Sequence, residues 1–359
     1  MDDLGSTLAV PSAADAKRHD LLGDDPESWR EGMRNGYLRA FVVNAIVQTG
    51  VAEELRRRGP EGATANALAE ATSLDPEVLE PILFYLSHAD RVLQNEGDRF
   101  ALGRNGDWLF APELKAALLA SIDAYGCVLT ELVPTLRREK SYGHDFRRRG
   151  DAVAAASLLT TRPNYPFIVQ SLRAHGITAI ADLGCGAAGL LIEFCRLAPD
   201  LNGVGIDIDP GSLSEAHRAV EQEGVTDRIT VVEGDIGRPE SFAAHPALRR
   251  VQAFNCCGVL HEFFRDGDAA VIEILRKYKR LFPTRYFFLG EFRARTPEEY
   301  DQMPIVKRVR NLWYQHLMHP LSRQGLPRTR ERWKEIFASA EVELVDVRDY
   351  FLDEYVLRL

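Results

Sequence analysis

An acid placed just before a glycine-rich turn is the chemically most telling spacing in this chain: Asp182-Leu-Gly-Cys-Gly-Ala-Ala-Gly189. An apolar run (177–183) leads into it and another (190–197) leads out, which reads as strand, tight turn, helix. Gly184 and Gly186 suit a turn that needs backbone angles closed to other residues and lets a ligand touch the main chain. The same G-x-G-x-x-G pattern serves dinucleotides, but a pyrophosphate over this turn would be repelled by Asp182. A ligand with ammonium and sulfonium centres would be attracted. Two further apolar runs end in acids. Gly203-Val-Gly-Ile-Asp207 places a carboxylate that can accept from both hydroxyls of a ribose. Ile229-Thr-Val-Val-Glu-Gly-Asp235-Ile236 places another that can take an adenine amino group, with Ile236 beside it.

Three acid-terminated strands in register discriminate better than one glycine loop. On these residues the chain resembles the class I S-adenosylmethionine-dependent methyltransferases over about 170–359. The resemblance implies S-adenosylmethionine as cofactor, held by Asp182, Gly184, Gly186, Asp207, Asp235 and Ile236. A nucleotide-binding sheet with a different ligand is the competing reading.

Ligands of an open parallel sheet collect at the carboxyl ends of its strands. After the fourth strand comes Gly258-Val-Leu-His261-Glu262-Phe-Phe, so His261 is expected beside the methyl donor. A phenol titrates near about 10, and a neutral imidazole can assist its deprotonation. The segment is similar to the Leu-His-Asp-Trp of O-methyltransferases, with Glu262 for Asp and Phe263 for Trp. A second histidine group, Trp313-Tyr-Gln-His316-Leu-Met-His319, follows further on. Two imidazoles from the two segments would suit iron or zinc.

That pairing, with Leu275-Arg-Lys-Tyr-Lys-Arg-Leu-Phe-Pro-Thr-Arg-Tyr-Phe-Phe-Leu-Gly-Glu291, resembles the bacterial α-keto acid C-methyltransferases of the phenylpyruvate type. This narrower resemblance implies a transition metal on His261 and His316, with His319 able to replace His316. It implies a 2-oxo acid chelated to that metal and methylated at its β-carbon, and an arginine on the substrate: Arg149, or else Arg148. Glu262 or a free histidine would take the proton. The alternative is metal-free O-methylation of a small hydroxylated metabolite with His261 as general base. A regulator built on a degenerate cofactor fold is opposed by the intact Asp182, Asp207 and Asp235.

The elements that must position these residues form two regions. Residues 1–28 are polar and read as a mobile arm. Residues 29–170 open with helices over 33–48, 51–57, 64–71 and 75–88, then a hairpin around 95–98: a mostly helical, winged-helix-like order. The helix that would enter a DNA groove, Asp75-Pro-Glu-Val-Leu-Glu-Pro-Ile-Leu-Phe-Tyr-Leu, carries no lysine or arginine, so dimerisation is expected there in place of nucleic-acid binding. Residues 171–359 alternate strand and helix as an α/β, Rossmann-like doubly wound sheet that ends in an antiparallel hairpin. The segment 293–329 is long for a connection and is expected to cap the substrate. A net charge of −9 argues against phosphate-backbone binding. No apolar run approaches the roughly 18 residues of a membrane span. The five cysteines show no C-x-x-C pair, which fits buried thiols in a reducing cytoplasm. The expected protein is a cytoplasmic homodimer.

Overall fold

The computed structural model describes residues 25–89, 91–349 and 352–359. Its contacts divide the chain into two compact units. One runs to Leu109 and includes Gln302–Val309; the other comprises Phe110–Asp301 and Arg310–Leu359. The division falls near Phe110, whereas the sequence boundary stands at 171. The helices in between touch the glycine loop: a Cβ on Gly186 would lie 3.6 Å from Ala154, and one on Gly189 would meet Leu158.

In the first unit the opening helix spans Pro26–Gln48. Asp25 caps it by accepting from the main-chain N–H groups of Glu27 and Ser28, and proline occupies the first turn, where its missing N–H is harmless. The expected arm of 1–28 is therefore corrected at its end, because this cap starts the helix earlier than apolar periodicity alone suggests; residues 1–24 lie outside those described. Helices Val51–Arg58, Ala65–Thr72 and Pro76–His88 follow. A small sheet consists of β1 (Ala63–Thr64), β2 (Leu93–Glu96) and β3 (Arg99–Leu102), in the order β1-β3-β2. The hairpin turns at Gly97, whose φ is 64°.

The second unit is built on a seven-stranded sheet. Its strands are β4 (Ala179–Leu183), β5 (Asn202–Asp207), β6 (Ile229–Glu233), β7 (Ala253–Cys257), β8 (Tyr286–Glu291), β9 (Glu343–Asp349) and β10 (Asp353–Arg358). They lie in the order β6-β5-β4-β7-β8-β10-β9, parallel from β6 to β8 and antiparallel at β10 and β9. Strand order reverses between β4 and β7, which opens a crevice at their carboxyl ends. Helices Gly189–Leu197, Pro210–Gln222, Asp268–Leu281 and Arg330–Ser339 cover the faces. β4, β7 and β8 are buried almost throughout, as expected for strands covered on both faces. Aromatic side chains fill one layer, with Phe254, Tyr278, Phe287, Trp333 and Phe337 all fully enclosed. Ahead of the sheet the chain runs in short helical pieces, Pro112–Leu118, a π-helical segment Leu119–Ala124, Gly126–Thr130 and Leu132–Leu136.

Candidate active site

The glycine loop has the backbone its sequence calls for. Gly184 and Gly186 take φ of 75° and 53°, and Ala188 follows at 58°. Asp207, at the end of β5, ties the loop down: its Oδ2 accepts from Gly186 N at 2.9 Å and its Oδ1 from Asp209 N at 2.9 Å. Its expected task on a ribose is thus joined by a second one, fixing the turn. Asp182 lies beneath the loop, where Asn255 on neighbouring β7 donates to it at 2.8 Å. Burial pushes its carboxyl up to about 7, against the pull of that hydrogen bond. Asp235 accepts from Gly237 N and pairs with Arg238. Ile236 is half-buried, and its carbonyl accepts from the Tyr278 hydroxyl. All six expected cofactor residues stand at or just beyond the carboxyl ends of β4, β5 and β6, on the ligand side of the sheet.

His261 lies in the first turn of a tight 3-10 helical segment, Leu260–Asp266, shortly after β7. It is 3% exposed. Its partner is Glu291, the last residue of β8, which accepts from His261 Nδ1 at 2.9 Å and from the His261 main-chain N–H at 3.2 Å. Burial opposes charge on the imidazole, but the Glu291 carboxylate outweighs it by charge and hydrogen bond, with Glu262 and Gln324 adding to the effect. His261 therefore titrates above its ordinary value. Because Nδ1–H points at Glu291, the lone pair lies on Nε2, the nitrogen that can take a proton. Gln324 Oε1 stands 3.2 Å from Nε2, and Gln324 Nε2 has no partner. That oxygen accepts from Nε2 once the imidazole is protonated, which favours the charged ring. Gln324 is brought here by Gly325, where a Cβ would collide with Phe264 at 2.2 Å.

Glu291 was not anticipated from the sequence. The signal was present, since it is another acid ending a strand at the ligand side, as Asp182 and Asp207 are. Glu262, expected as a proton acceptor, instead pairs with Arg148 at 2.5 Å. Arg148 also donates to Tyr125 Oη at 2.9 Å. Arg149, the favoured substrate arginine, is corrected: it is exposed and paired with Asp151. Arg149 opens the helix Gly150–Thr161, and that turn sends the neighbouring Arg148 inward.

The second histidine is also exchanged. His316 is exposed, and its Nε2 bonds the Tyr300 hydroxyl at 2.8 Å. His319 is 1% exposed, and its ring stacks on His261 with centroids 4.6 Å apart and planes 23° apart. A π-helical turn over Leu312–Met318 directs Gln315, Met318 and His319 inward. The expected pair of His261 with His316 is therefore not formed, and His319 stands beside His261 in its place. No group of three His, Cys, Asp or Glu suited to a metal occurs among the described residues. Phe292 stacks on Tyr314 at 5.5 Å, and Tyr125 meets Trp313 and Tyr314 edge-on, so flat aromatic surfaces border the two histidines. Burial, reinforced by the charges of His261, Arg148 and His316, pushes His319 down to about 2 and keeps it neutral.

Residues 180–280, from β4 through most of the helix after β7, match the methyltransferase domain family. The chain carries an S-adenosylmethionine-dependent methyltransferase domain. A methyltransferase of Aspergillus campestris is 27% identical over 172 residues, 46% of this chain and 48% of the relative. The release factor glutamine methyltransferase of Geobacter sulfurreducens is 30% identical over 91 residues, 25% of this chain and 31% of that protein. These matches span half or less of the curated relatives' lengths. Among solved structures, the mitomycin 7-O-methyltransferase MmcR superposes with a TM-score of 0.68 at 18% identity, over 92% of this chain and 97% of its own. Human N-acetylserotonin methyltransferase, solved with S-adenosylmethionine, gives 0.64 at 16% identity, over 94% and 99%. At such identity the likeness is one of fold, and it extends through the helical region ahead of the methyltransferase domain.

Proposed function

We propose that the protein transfers the methyl group of S-adenosylmethionine to a hydroxyl of a small, flat metabolite, with His261 as general base. The observation that carries this reading is the buried His261–Glu291 pair at the carboxyl end of β7 and β8, beside the glycine loop. Glu291 fixes the tautomer and stabilises the imidazolium that forms as the hydroxyl proton moves to Nε2. The substrate oxygen then attacks the sulfonium methyl in line, a displacement that depends mainly on positioning. Asp207 and the loop it pins would hold the ribose, Asp235 and Ile236 the adenine, and Asp182 the cationic end. Arg148 and Tyr125, beside the aromatic walls, would orient the substrate.

The O-methyl reading replaces the favoured expectation of metal-dependent C-methylation of a 2-oxo acid. His316, the expected second metal ligand, is exposed and bonded to Tyr300, whereas the His261–Glu291 pair supplies an oriented base. Helix Pro26–Gln48 exposes Trp29, Met33, Tyr37 and Phe41 along one stripe. Such a stripe supports self-association as a homodimer, which sedimentation of Phe41→Glu against the native protein would test. The cysteines are free, in keeping with the cytoplasm.

The direct test uses S-adenosylmethionine carrying a 13C methyl group and a panel of small phenols, enols and 2-oxo acids. NMR of the product locates the label. An oxygen-bound methyl is expected; a carbon-bound methyl would return the protein to the C-methylation reading.

A further inference from the structure

Both ring nitrogens of His261 meet acceptor oxygens, in a side chain that is 4% exposed. Glu291 Oε2 lies 2.9 Å from Nδ1, and Gln324 Oε1 lies 3.2 Å from Nε2. The nitrogen that must accept a substrate proton thus faces a protein oxygen. The two partners are not equally secured. Glu291 holds the His261 ring and main chain with separate oxygens. The Gln324 amide has only its oxygen engaged, because its nitrogen is buried without a partner, which is costly. The Gln324 main chain is nevertheless fixed. Its N–H donates to the His319 carbonyl at 2.8 Å. At the next residue, Gly325, a Cβ would lie 2.2 Å from Phe264 Cβ and 2.6 Å from the Phe264 main chain, so the two segments touch closely. Movement at this contact is left to the Gln324 side chain.

We propose that Gln324 is a latch on the base: its amide oxygen holds the Nε2 proton of charged His261 when no substrate is bound, and leaves Nε2 before a hydroxyl is deprotonated there. The inference rests on the reading of His261 as base. An imidazole nitrogen carries one proton or one lone pair, so the amide oxygen and a substrate hydroxyl compete for a single place. The charge on the ring decides which is held. On the imidazolium, Nε2–H donates to Oε1 and the latch is closed. Once that proton passes to water, Nε2 and Oε1 are two acceptors facing each other, and the amide is released. The titratable groups around the ring are Glu291 from β8, Glu262 of its own segment, itself paired with Arg148, and His319, which burial keeps neutral. Among the described residues, Gln324 is the group hydrogen-bonded at Nε2. It is a positioning residue, acting through His261.

Gln324→Met keeps length and burial but removes the acceptor, while Gln324→Glu keeps the acceptor and adds a charge. Proteins carrying 15N-labelled histidine are titrated by NMR, with His261→Gln identifying the His261 signals. The pH at which Nε2 loses its proton should fall by about one unit in Gln324→Met, the scale of one hydrogen bond to a charged group, and rise in Gln324→Glu. Diethylpyrocarbonate, which acylates uncharged imidazole nitrogens, then probes access at pH 7, read by peptide mass. His261 should react about tenfold faster in Gln324→Met than in the native protein, with the buried His319 as unchanged control. A midpoint that stays put or rises in Gln324→Met, or one that does not rise in Gln324→Glu, overturns the proposal. So does equal His261 reactivity in the native protein and Gln324→Met, or an equal gain at His319, which would mean general loosening. Neither measurement involves methyl transfer, so failure here leaves His261 as base to be judged on turnover.

Discussion

Replacing Glu291 by Gln removes a charge and almost no volume, at a site with no access to solvent. In the native protein Glu291 accepts two hydrogen bonds from His261, one from the ring and one from the main chain. The ring bond becomes charge-assisted when the imidazole takes the substrate proton. Hydrogen bonds to charged groups contribute about 1.5–3 kcal/mol, and about 1.4 kcal/mol is tenfold in rate. Glu291→Gln should therefore lower kcat/KM about ten- to a hundredfold, while S-adenosylmethionine affinity stays within about twofold. The pH profile should move as well. His261 is held above its ordinary value of about 6.5 chiefly by Glu291 against burial, so native activity should fall as pH drops through a value above 6.5. The amide cannot hold that proton, so the acid limb should shift downward even as the maximum rate declines. Release of S-adenosylhomocysteine, followed from pH 5.5 to 9 with circular dichroism as a folding control, reads both effects. A folded variant with native kcat/KM and an unmoved acid limb would refute the pairing.

Other consequences follow from the same geometry. Asp207→Ala should weaken S-adenosylmethionine by at least about tenfold, through loss of the ribose contact and of the Gly186 anchor; calorimetry giving native affinity would remove Asp207 from the site. Arg148→Met should impair turnover far more than Arg149→Met, since only Arg148 reaches Glu262 and Tyr125; equal effects of the two on kcat/KM would contradict this. Burial pushes Glu354 up to about 7, above its unfolded value near about 4.3. Its stabilising contribution is thus complete below about pH 4 and lost as pH rises through about 7. Glu354→Gln, which keeps an acceptor for Asn164, should then be the more stable protein at pH 8, by up to about 3 kcal/mol, with little difference at pH 5. Urea unfolding at the two pH values checks it.

The strand ends that carry the proposed cofactor residues were legible because their signals are local. Each acid closes its own apolar run, so the residues and their strand ends are read together. Strands β4 to β7 end within a few residues of where the sequence places them for the same reason. The substrate half depends on contacts distant in sequence. The choice of Arg148 over Arg149 is made by the start of the helix Gly150–Thr161, and that of His319 over His316 by a π-helical turn with no distinct sequence signature. Glu291 could have been found by extending the strand-end argument one strand further. The break at Leu119–Ala124 was hidden because its residues (Leu-Ala-Ser-Ile-Asp-Ala) are ordinary helix formers or neutral to a helix.

His261→Ala tests the central reading most directly, with methyl transfer to a hydroxylated substrate measured beside S-adenosylmethionine binding on the same preparation. Turnover should fall by about a hundredfold or more, the usual scale of a lost general base, with cofactor affinity unchanged. Retention of native turnover by folded, cofactor-binding His261→Ala would contradict it.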